Sequence, residues 1–171
     1  MPNFRRANQP GGTFFFTVVT YQRKPFLTQS ICRETLRQVV RQVCQEHPFT
    51  LDAWVLLPDH MHCIWTLVEG DADFSKRWGL IKARFTKTIR RVFPQAPKTI
   101  WQNRFWEHQV RDDLDFETHV EYIHYNPVKH GLVTNVKDWP FSTFHRFVRY
   151  GIYEINWGEE LSFRPEDNFG E

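Results

Sequence analysis

The hydrophobic periodicity of this chain switches between the two-residue repeat of strands and the three-to-four-residue repeat of helices, and the order of the switches restricts the fold. The predicted strands are residues 13–21, 50–57, 60–67 and 105–110, and the predicted amphipathic helices are residues 28–46, 73–92 and 114–125. We expect Thr28 and Asp73 to cap the first two helices, and Pro127 to end the third. The order β-α-β-β-α-β plus a helix predicts an α+β fold of the ferredoxin-like, split β-α-β type, with an antiparallel sheet and helices on one face.

The length of 171 residues favours a single domain. We expect this domain to span residues 1–150, with the polar stretch 151–171 as a C-terminal arm. No apolar run approaches the roughly 18 residues that cross a bilayer, and the N-terminus lacks the apolar segment of a secretory signal, so the sequence predicts a cytoplasmic protein. Cys32, Cys44 and Cys63 show no CxxC spacing, which argues against a disulfide framework or an all-cysteine zinc site.

Positive charge is concentrated in the first part of the chain, although the net charge is only +2. Phe74 to Lys98 contains eight basic residues and no acidic one, and these cations, Arg77 among them, are expected to surround the apolar seam of the second helix. Such a surface suits the phosphates of a nucleic acid, while a solvated helix face explains the charge equally well. The predicted nucleic-acid contacts are Arg5 and Arg6 in the N-terminal arm, Lys82, Arg84 and Lys87 on the helix, and Arg104.

Two histidines, His60 and His62, alternate in the predicted strand 60–67, so their side chains share one face of it. Imidazoles about 7 Å apart at the backbone can converge on one cation. No third His or Cys at a useful spacing supports zinc. Taken alone the pair is a weak motif, and a polar outer face of the sheet is the simpler explanation.

The last predicted helix carries a candidate nucleophile, Tyr122, four residues before Asn126, so that both lie on one side of it. A phenol beside an amide oxygen offers a nucleophile next to a ligand for a hard metal ion. Tyr125 is the rival nucleophile, but it lies about 300° further round the helix. The phenol needs help to ionise at neutral pH, from His119, His124 or a metal-bound hydroxide, and the sequence leaves these three open. For each of the two histidines, a plain surface position is the simpler expectation.

Four sequence blocks resemble the HUH single-tyrosine transposases that accompany bacterial repetitive extragenic palindromes (REPs). The blocks are residues 53–62 (AWVLLPDHMH), 101–108 (WQNRFWEH), 122–132 (YIHYNPVKHGL) and 139–145 (WPFSTFH). The resemblance implies that Tyr122 is the nucleophile and that His60, His62 and Asn126 are the metal ligands. Asn126 stands where the broader insertion-sequence branch usually carries Gln, which shortens the amide arm by one methylene.

What the resemblance implies is a single-stranded DNA endonuclease and strand transferase that forms a 5′-phosphotyrosine link. Its cofactor would be Mg²⁺ or Mn²⁺, and its substrate a REP hairpin with a tetranucleotide at the 5′ foot. The protein would act as a monomer or a homodimer. A domesticated hairpin-binding protein without turnover and a replication or conjugation initiator are the alternatives, and the short chain leaves little room for the additional regions of an initiator.

Overall fold

A computed structural model describes residues 10–160 and 169–171. The strands are β1 (Thr13–Val19), β2 (Phe49–Leu56), β3 (His60–Leu67) and β4 (Trp106–Gln109). The helices are α1 (Ser30–Glu46), α2 (Phe74–Val92), α3 (Asp113–Lys129) and α4 (Phe144–Arg149), with short 3₁₀ segments at Tyr21–Arg23 and Val136–Asp138. Every element predicted from the sequence is present, and the predicted bounds of β3 are confirmed.

The four strands form one antiparallel sheet in the order β2-β3-β1-β4. This order, with α1 between β1 and β2 and α2 between β3 and β4, is the predicted ferredoxin-like arrangement. The pairing of β1 with β3 places Thr17 directly opposite His62. The sheet register therefore sets which side chains surround the histidine pair.

The sheet has a hydrophobic core on each face. On one face α1 and α2 pack against the sheet, where the rings of Trp65 and Trp78 stack with centroids 4.3 Å apart. On the other face α3 covers apolar residues of the strands such as Phe15 and Ile64. The two ferredoxin-like helices thus share one face, as predicted, and the tyrosine-bearing helix lies on the opposite one.

The helix starts confirm one predicted cap and correct another. The Asp73 carboxylate accepts a hydrogen bond of 3.0 Å from the amide of Lys76, which caps α2 as predicted. Thr28 is not a cap, because α1 begins two residues later, after Gln29, whose side chain makes no capping bond.

The helix α3 continues past Pro127 to Lys129, so the prediction that the proline ends this helix is wrong. A proline inside a helix removes one backbone hydrogen bond, and packing of this buried residue outweighs that loss here. The helix ends only before Gly131, whose φ of 68° belongs to the left-handed region that favours glycine. The additional residues place another part of α3 beside the histidine pair.

The described parts of the predicted C-terminal arm pack on the domain. The ring of Tyr153 stacks on Trp157 and on Phe147 of α4, with centroids 4.5 and 5.5 Å apart. Phe169 packs against the core beneath α3. The division into a domain of residues 1–150 and an arm stays a prediction. Among the helices of residues 10–160, none combines the length and the apolarity that a bilayer crossing requires.

Candidate active site

The histidine pair lies in the interior, between the sheet and α3. His60 and His62 project from the same face of β3, only 1% and 0% exposed, and their ring centroids are 4.9 Å apart. The simpler explanation of a polar outer face is therefore wrong, because α3 covers this face. Two imidazoles buried at such close range require polar partners.

Each imidazole is oriented by a hydrogen bond at its Nδ1 atom. His60 Nδ1 lies 2.6 Å from the Asp59 carboxylate, and His62 Nδ1 lies 2.8 Å from the hydroxyl of Thr17. That hydroxyl donates its own hydrogen to the carbonyl oxygen of Phe169, so it must accept from His62. Both rings therefore carry hydrogen at Nδ1 and present the other nitrogen, Nε2, to the centre of the site.

The helix α3 brings Tyr122 and Asn126 to the same place. Both are buried, at 1% and 0% exposure, and the ring centroids of Tyr122 and His62 are 5.3 Å apart. The structure thus gathers the four residues predicted for catalysis and metal binding. Tyr125 lies on another side of α3, next to Gly158, as its helical position predicted.

A carboxylate that sequence reasoning missed, that of Glu171, lies at the centre of this group. It accepts hydrogen bonds from the Tyr122 hydroxyl and, at 2.8 Å, from the amide nitrogen of Asn126. One of its oxygens is 3.0 Å from His62 Nε2 and 3.7 Å from His60 Nε2. No sequence signal links Glu171 to residues so distant in the chain.

The donor set around Glu171 fits a cation. His60 Nε2 and Asn126 Oδ1 are buried and have no hydrogen-bond partner among the described residues. A neutral His62 turns a lone pair, rather than an N–H, toward the carboxylate, and such a contact needs a positive charge between the two atoms. His60, His62 and Glu171 form a group that could hold a metal ion.

The pKa values reflect burial and mutual contacts. Burial lowers the pKa of His62 to about 3, so this imidazole is neutral. Burial by itself also raises the pKa of Glu171, but the neighbouring imidazoles, that of His130 first, and the amide of Asn126 outweigh it and hold that pKa far below its ordinary value. Burial and the neighbouring Glu171 raise the pKa of Tyr122, so the phenol is protonated at neutral pH in this arrangement.

Two further residues at the end of α3 contact the site, and sequence reasoning missed them too. Lys129 Nζ donates to the Tyr122 hydroxyl over 3.0 Å and lies 3.0 Å from a Glu171 oxygen. His130 Nε2 lies 3.2 Å from the other oxygen of that carboxylate. Both residues follow Pro127, where the helix was predicted to end.

His119 and His124, the predicted bases, are buried, and in the described structure neither is hydrogen-bonded to the Tyr122 hydroxyl. His124 Nε2 lies 2.8 Å from the hydroxyl of Thr143, on the side of α3 that packs against α4. His119 Nδ1 donates to the backbone oxygen of Asp115, back toward the start of α3. The surface positions expected for these two histidines are therefore wrong.

A second cluster, His108, Asp115 and His119, joins β4 to the start of α3. The Asp115 carboxylate lies 2.9 Å from His108 Nε2 and 3.1 Å from His119 Nδ1. The two rings stack with centroids 4.5 Å apart. By spacing alone this group could also hold a metal ion.

Two of the predicted nucleic-acid contacts, Lys82 and Lys87, line an open groove of about 630 Å³ along α2. Arg90 and Arg91 line the same groove, and none of its lining residues is acidic. The Lys82 ammonium donates to the backbone oxygen of Gln102 over 2.8 Å. The groove is therefore a continuous cationic surface.

Other cations of α2 are engaged within the protein. Arg84 lies outside the groove and makes two hydrogen bonds to the Glu46 carboxylate, at 2.8 and 2.6 Å. Arg77 is 2% exposed and pairs with Asp71 at 2.5 Å. The expectation that Arg77 faces solvent is wrong, because its guanidinium ties α2 to the preceding loop.

Arg104 lies at a cleft of about 480 Å³ that leads toward the histidine pair. Thr17, Trp106 and Gly170 line the same cleft. Thr17 orients His62, so the cleft borders the candidate active site directly. Arg5 and Arg6 lie outside the described residues.

Comparisons with known proteins agree with this fold. The family model described as "Transposase IS200 like" matches residues 12–126. The REP-associated tyrosine transposase of Escherichia coli (strain K12) is 49% identical over 163 residues, which cover 95% of this chain and 94% of that protein. The putative REP-associated tyrosine transposase of Haemophilus influenzae is 43% identical over 167 residues, covering 92% and 94%.

Solved structures show the same likeness. A REP-associated tyrosine transposase bound to a REP hairpin superposes with a TM-score of 0.88 at 47% identity, covering all of this chain and 98% of that one. A putative transposase from Deinococcus radiodurans shares the fold, with a TM-score of 0.51 at 14% identity over 72% of this chain and 98% of that one. The chain therefore belongs to the IS200-like transposase family and, within it, to the REP-associated tyrosine transposases.

Proposed function

We propose that this transposase is a metal-dependent single-stranded DNA endonuclease and strand transferase that acts on REP hairpins through a covalent phosphotyrosine. The observation that carries the proposal is the convergence on one buried point of the Tyr122 hydroxyl, two imidazole Nε2 atoms and the Asn126 amide. Buried nitrogen lone pairs that can hold a metal ion beside a nucleophilic oxygen suit metal-assisted cleavage of a phosphodiester by that oxygen.

His60, His62 and Asn126 would hold the metal ion, with Glu171 as a further oxygen ligand while no DNA is bound. Two nitrogens with an amide oxygen suit Mn²⁺, and Mg²⁺ is the cellular alternative. When bound, the ion supplies Lewis-acid neutralisation of the phosphate oxygens. Asp59 and Thr17 keep the two imidazoles in the tautomer that can bind it.

Tyr122 would attack the scissile phosphate. The bond from its Oη atom to phosphorus forms, the bond from phosphorus to the 3′ oxygen breaks, and the phenolic proton passes to water while the 3′ oxygen takes a proton from water. The products are a 5′-phosphotyrosine and a free 3′-hydroxyl. The covalent link keeps the energy of the phosphodiester for the rejoining step of strand transfer.

The scissile phosphate and the Glu171 carboxylate are both anions, and we propose that they compete for the same place. The cleft beside Arg104 would give a single strand access to that place, since Thr17 lines the cleft and also orients His62. The groove on α2 offers Lys82 and Lys87 to phosphates outside the site. DNA binding therefore includes displacement of Glu171.

The hairpin substrate is supported by the 47% identical structure, which is a complex with a REP hairpin. A tetranucleotide at the 5′ foot of the hairpin, action as a monomer or a homodimer, and a cytoplasmic location stay predictions. A hairpin-binding protein without turnover is the second candidate, and it is favoured by the position of Glu171, which fills the centre of the site.

The decisive variant is Tyr122→Phe, which keeps the ring and removes only the hydroxyl. Incubated with a labelled single-stranded REP hairpin and Mn²⁺ or Mg²⁺, it should lose the slow-migrating covalent adduct on a denaturing gel by more than about 10³-fold. Its affinity for the hairpin should stay within about twofold, because binding contacts are unchanged.

Tyr125→Phe is the matched control and should retain the adduct, because Tyr125 lies on another side of α3. An adduct that survives Tyr122→Phe but not Tyr125→Phe would show that the nucleophile is misassigned. If the wild-type protein forms no adduct with either metal, the binding-protein function is correct.

A further inference from the structure

We propose that Lys129 is a catalytic residue of this transposase, whose ammonium group stabilises the negative charge on the Tyr122 oxygen during attack. The inference rests on the proposed function, because it concerns the activation of the same nucleophile. The sequence offered His119, His124 or a metal-bound hydroxide as the group that helps the phenol to ionise, and Lys129 would give that help by its charge rather than by accepting the proton.

The contact between the two side chains fixes the direction of their hydrogen bond. The Lys129 ammonium has donors only, and it lies 3.0 Å from the Tyr122 hydroxyl, so the phenolic oxygen accepts. The hydrogen of the phenol is therefore turned away from Lys129, toward Glu171. The ammonium group therefore already donates to the phenolic oxygen, the atom on which negative charge develops when the phenol loses its proton.

The ring contact strengthens this placement. Lys129 Nζ lies 4.6 Å from the centroid of the Tyr122 ring, so the cation also faces the aromatic system over which phenolate charge spreads. Tyr122 is only 1% exposed, while the Lys129 side chain is 27% exposed. Because one member of the pair is shielded from water, their charge interaction is stronger than that of two fully exposed groups.

The helix explains why Lys129 reaches the nucleophile. Lys129 follows Tyr122 by seven positions, which is almost two full turns, so both side chains lie on one side of α3. The contact requires the helix to continue through Pro127, as it does. Neither candidate histidine makes a hydrogen bond to this hydroxyl in the described part of the chain.

In the reaction, Lys129 stays protonated throughout. As the phenolic proton passes to water, the negative charge on the Tyr122 oxygen faces the ammonium. The oxygen then bonds to phosphorus and the bond to the 3′ oxygen breaks. Lys129 gains and loses no proton, so its contribution is electrostatic.

A second explanation of Lys129 is that it only anchors Glu171, since its ammonium also lies 3.0 Å from that carboxylate. The two roles predict opposite results once the carboxylate is removed. An anchor becomes irrelevant in a Glu171→Ala protein, whereas a catalytic cation remains necessary there.

The experiment therefore measures single-turnover adduct formation at saturating REP hairpin and Mn²⁺ in full-length Glu171→Ala protein, with and without Lys129→Met. We expect Lys129→Met to slow the adduct step by about 10- to 100-fold with the dissociation constant for the hairpin unchanged within about twofold. Lys129→Arg should recover most of the rate, because the positive charge is restored. Lys137→Met, which removes a cation bonded to Asn156 and Glu159, is the matched control and should leave the rate unchanged.

An unchanged rate in Glu171→Ala/Lys129→Met would overturn the role of Lys129 and leave the proposed function intact. A loss of hairpin affinity with no loss of the saturated rate would also overturn it, since Lys129 would then only bind phosphate. Absence of the adduct from both the wild-type protein and the Glu171→Ala parent would contradict the proposed function. Its absence from the Glu171→Ala parent alone would leave that function intact and overturn the role of Lys129, because Glu171 would then be needed for the attack. Lys129→Arg keeps a long side chain with a positive charge. If this variant has the same melting temperature as the Glu171→Ala parent and still does not recover the rate, the electrostatic role is wrong.

Discussion

Two clusters, each made of imidazoles and a carboxylate, lie between α3 and the sheet. They differ in which imidazole nitrogen atoms have a lone pair available for a metal ion. In the first, His60 and His62 use Nδ1 for hydrogen bonds to Asp59 and Thr17 and turn Nε2 toward Glu171. In the second cluster, His108 Nε2 and His119 Nδ1 contact the Asp115 carboxylate directly, so the nitrogen atoms that face the carboxylate are the ones that pair with it. The residue types and the spacings are nearly the same, but the orientation of the rings is different.

In the second cluster the Asp115 carboxylate is satisfied without a metal ion, although His119 Nε2 is buried and has no hydrogen-bond partner among the described residues. The Asp115 carboxylate also accepts a hydrogen bond of 2.9 Å from the amide of Arg111. Burial raises the pKa of this carboxyl, but the hydrogen bonds from His108 and from that amide outweigh it and lower the pKa to about 2. His119 Nδ1 needs its hydrogen for the backbone oxygen of Asp115, 2.7 Å away, so this nitrogen has no lone pair to give.

The comparison shows that proximity of His and Asp or Glu side chains does not by itself define a metal site. What distinguishes the first cluster is that a second set of partners, Asp59 and Thr17, holds each ring so that its lone pair is left toward the centre. The proposed metal site is therefore the first cluster, whereas the hydrogen bonds of the second cluster join β4 to α3.

The largest expected effect separates the two clusters by metal affinity. The double variant His60→Ala/His62→Ala should weaken Mn²⁺ binding by more than about 100-fold. Removal of a residue that only supports a ligand already lowers metal affinity by about 10- to 100-fold, and removal of the ligands themselves lowers it further. The matched double variant His108→Ala/His119→Ala, which also removes two imidazoles, should keep the affinity within about threefold. Titration calorimetry of Mn²⁺ into each folded protein measures both. The opposite order of affinities would mean that the two clusters are assigned the wrong way round.

An intermediate effect is expected on stability from the second cluster. Asp115→Asn removes the charge that binds two imidazoles and an amide, so it should lower the free energy of unfolding by about 1–3 kcal/mol. Asp113→Asn, an exposed carboxylate in the same helical turn, controls for the charge at the start of α3 and should cost well under 1 kcal/mol. Urea unfolding followed by circular dichroism gives both values. Equal losses would show that only the charge near the helix start matters.

The smallest expected effect concerns a histidine outside both clusters. Burial lowers the pKa of His124 to about 3, while an unfolded histidine titrates near 6.5. Below pH 6.5 the unfolded chain therefore binds a proton that the folded chain refuses, and stability falls as pH decreases. Between pH 6 and 5, His124→Gln should make this fall shallower by up to about 1.4 kcal/mol per pH unit. An unchanged slope in urea unfolding at these pH values would show that His124 is not buried in its neutral form.

The sequence predicted the fold because periodicity is a local property. Alternation in residues 60–67 identified β3 and the common face of His60 and His62, and the stripe in residues 73–92 identified α2 with its cap at Asp73. The four-residue spacing of Tyr122 and Asn126 on one helix placed them together in the same way. These inferences needed only the geometry of one strand or one helix.

The sequence could not predict where α3 ends. A proline breaks a helix by its intrinsic preference, and packing overrides that preference here for Pro127, which is buried. For this reason Lys129 and His130 were not expected at the site. Arg77 was placed on the surface for a similar reason, since its ion pair with Asp71 depends on the path of a loop.

By itself the sequence determined the order of strands and helices, the histidine pair, the tyrosine and the amide, because each follows from residues within a few positions of one another. Only the tertiary structure decided that Glu171 fills the centre of the site, that Thr17 fixes the tautomer of His62, and that Lys129 contacts the Tyr122 hydroxyl. The physical reason is that buried polar groups find their hydrogen-bond partners only when segments distant in the sequence pack together and exclude water. That exclusion is a property of the packed chain, and no local repeat of residues encodes it.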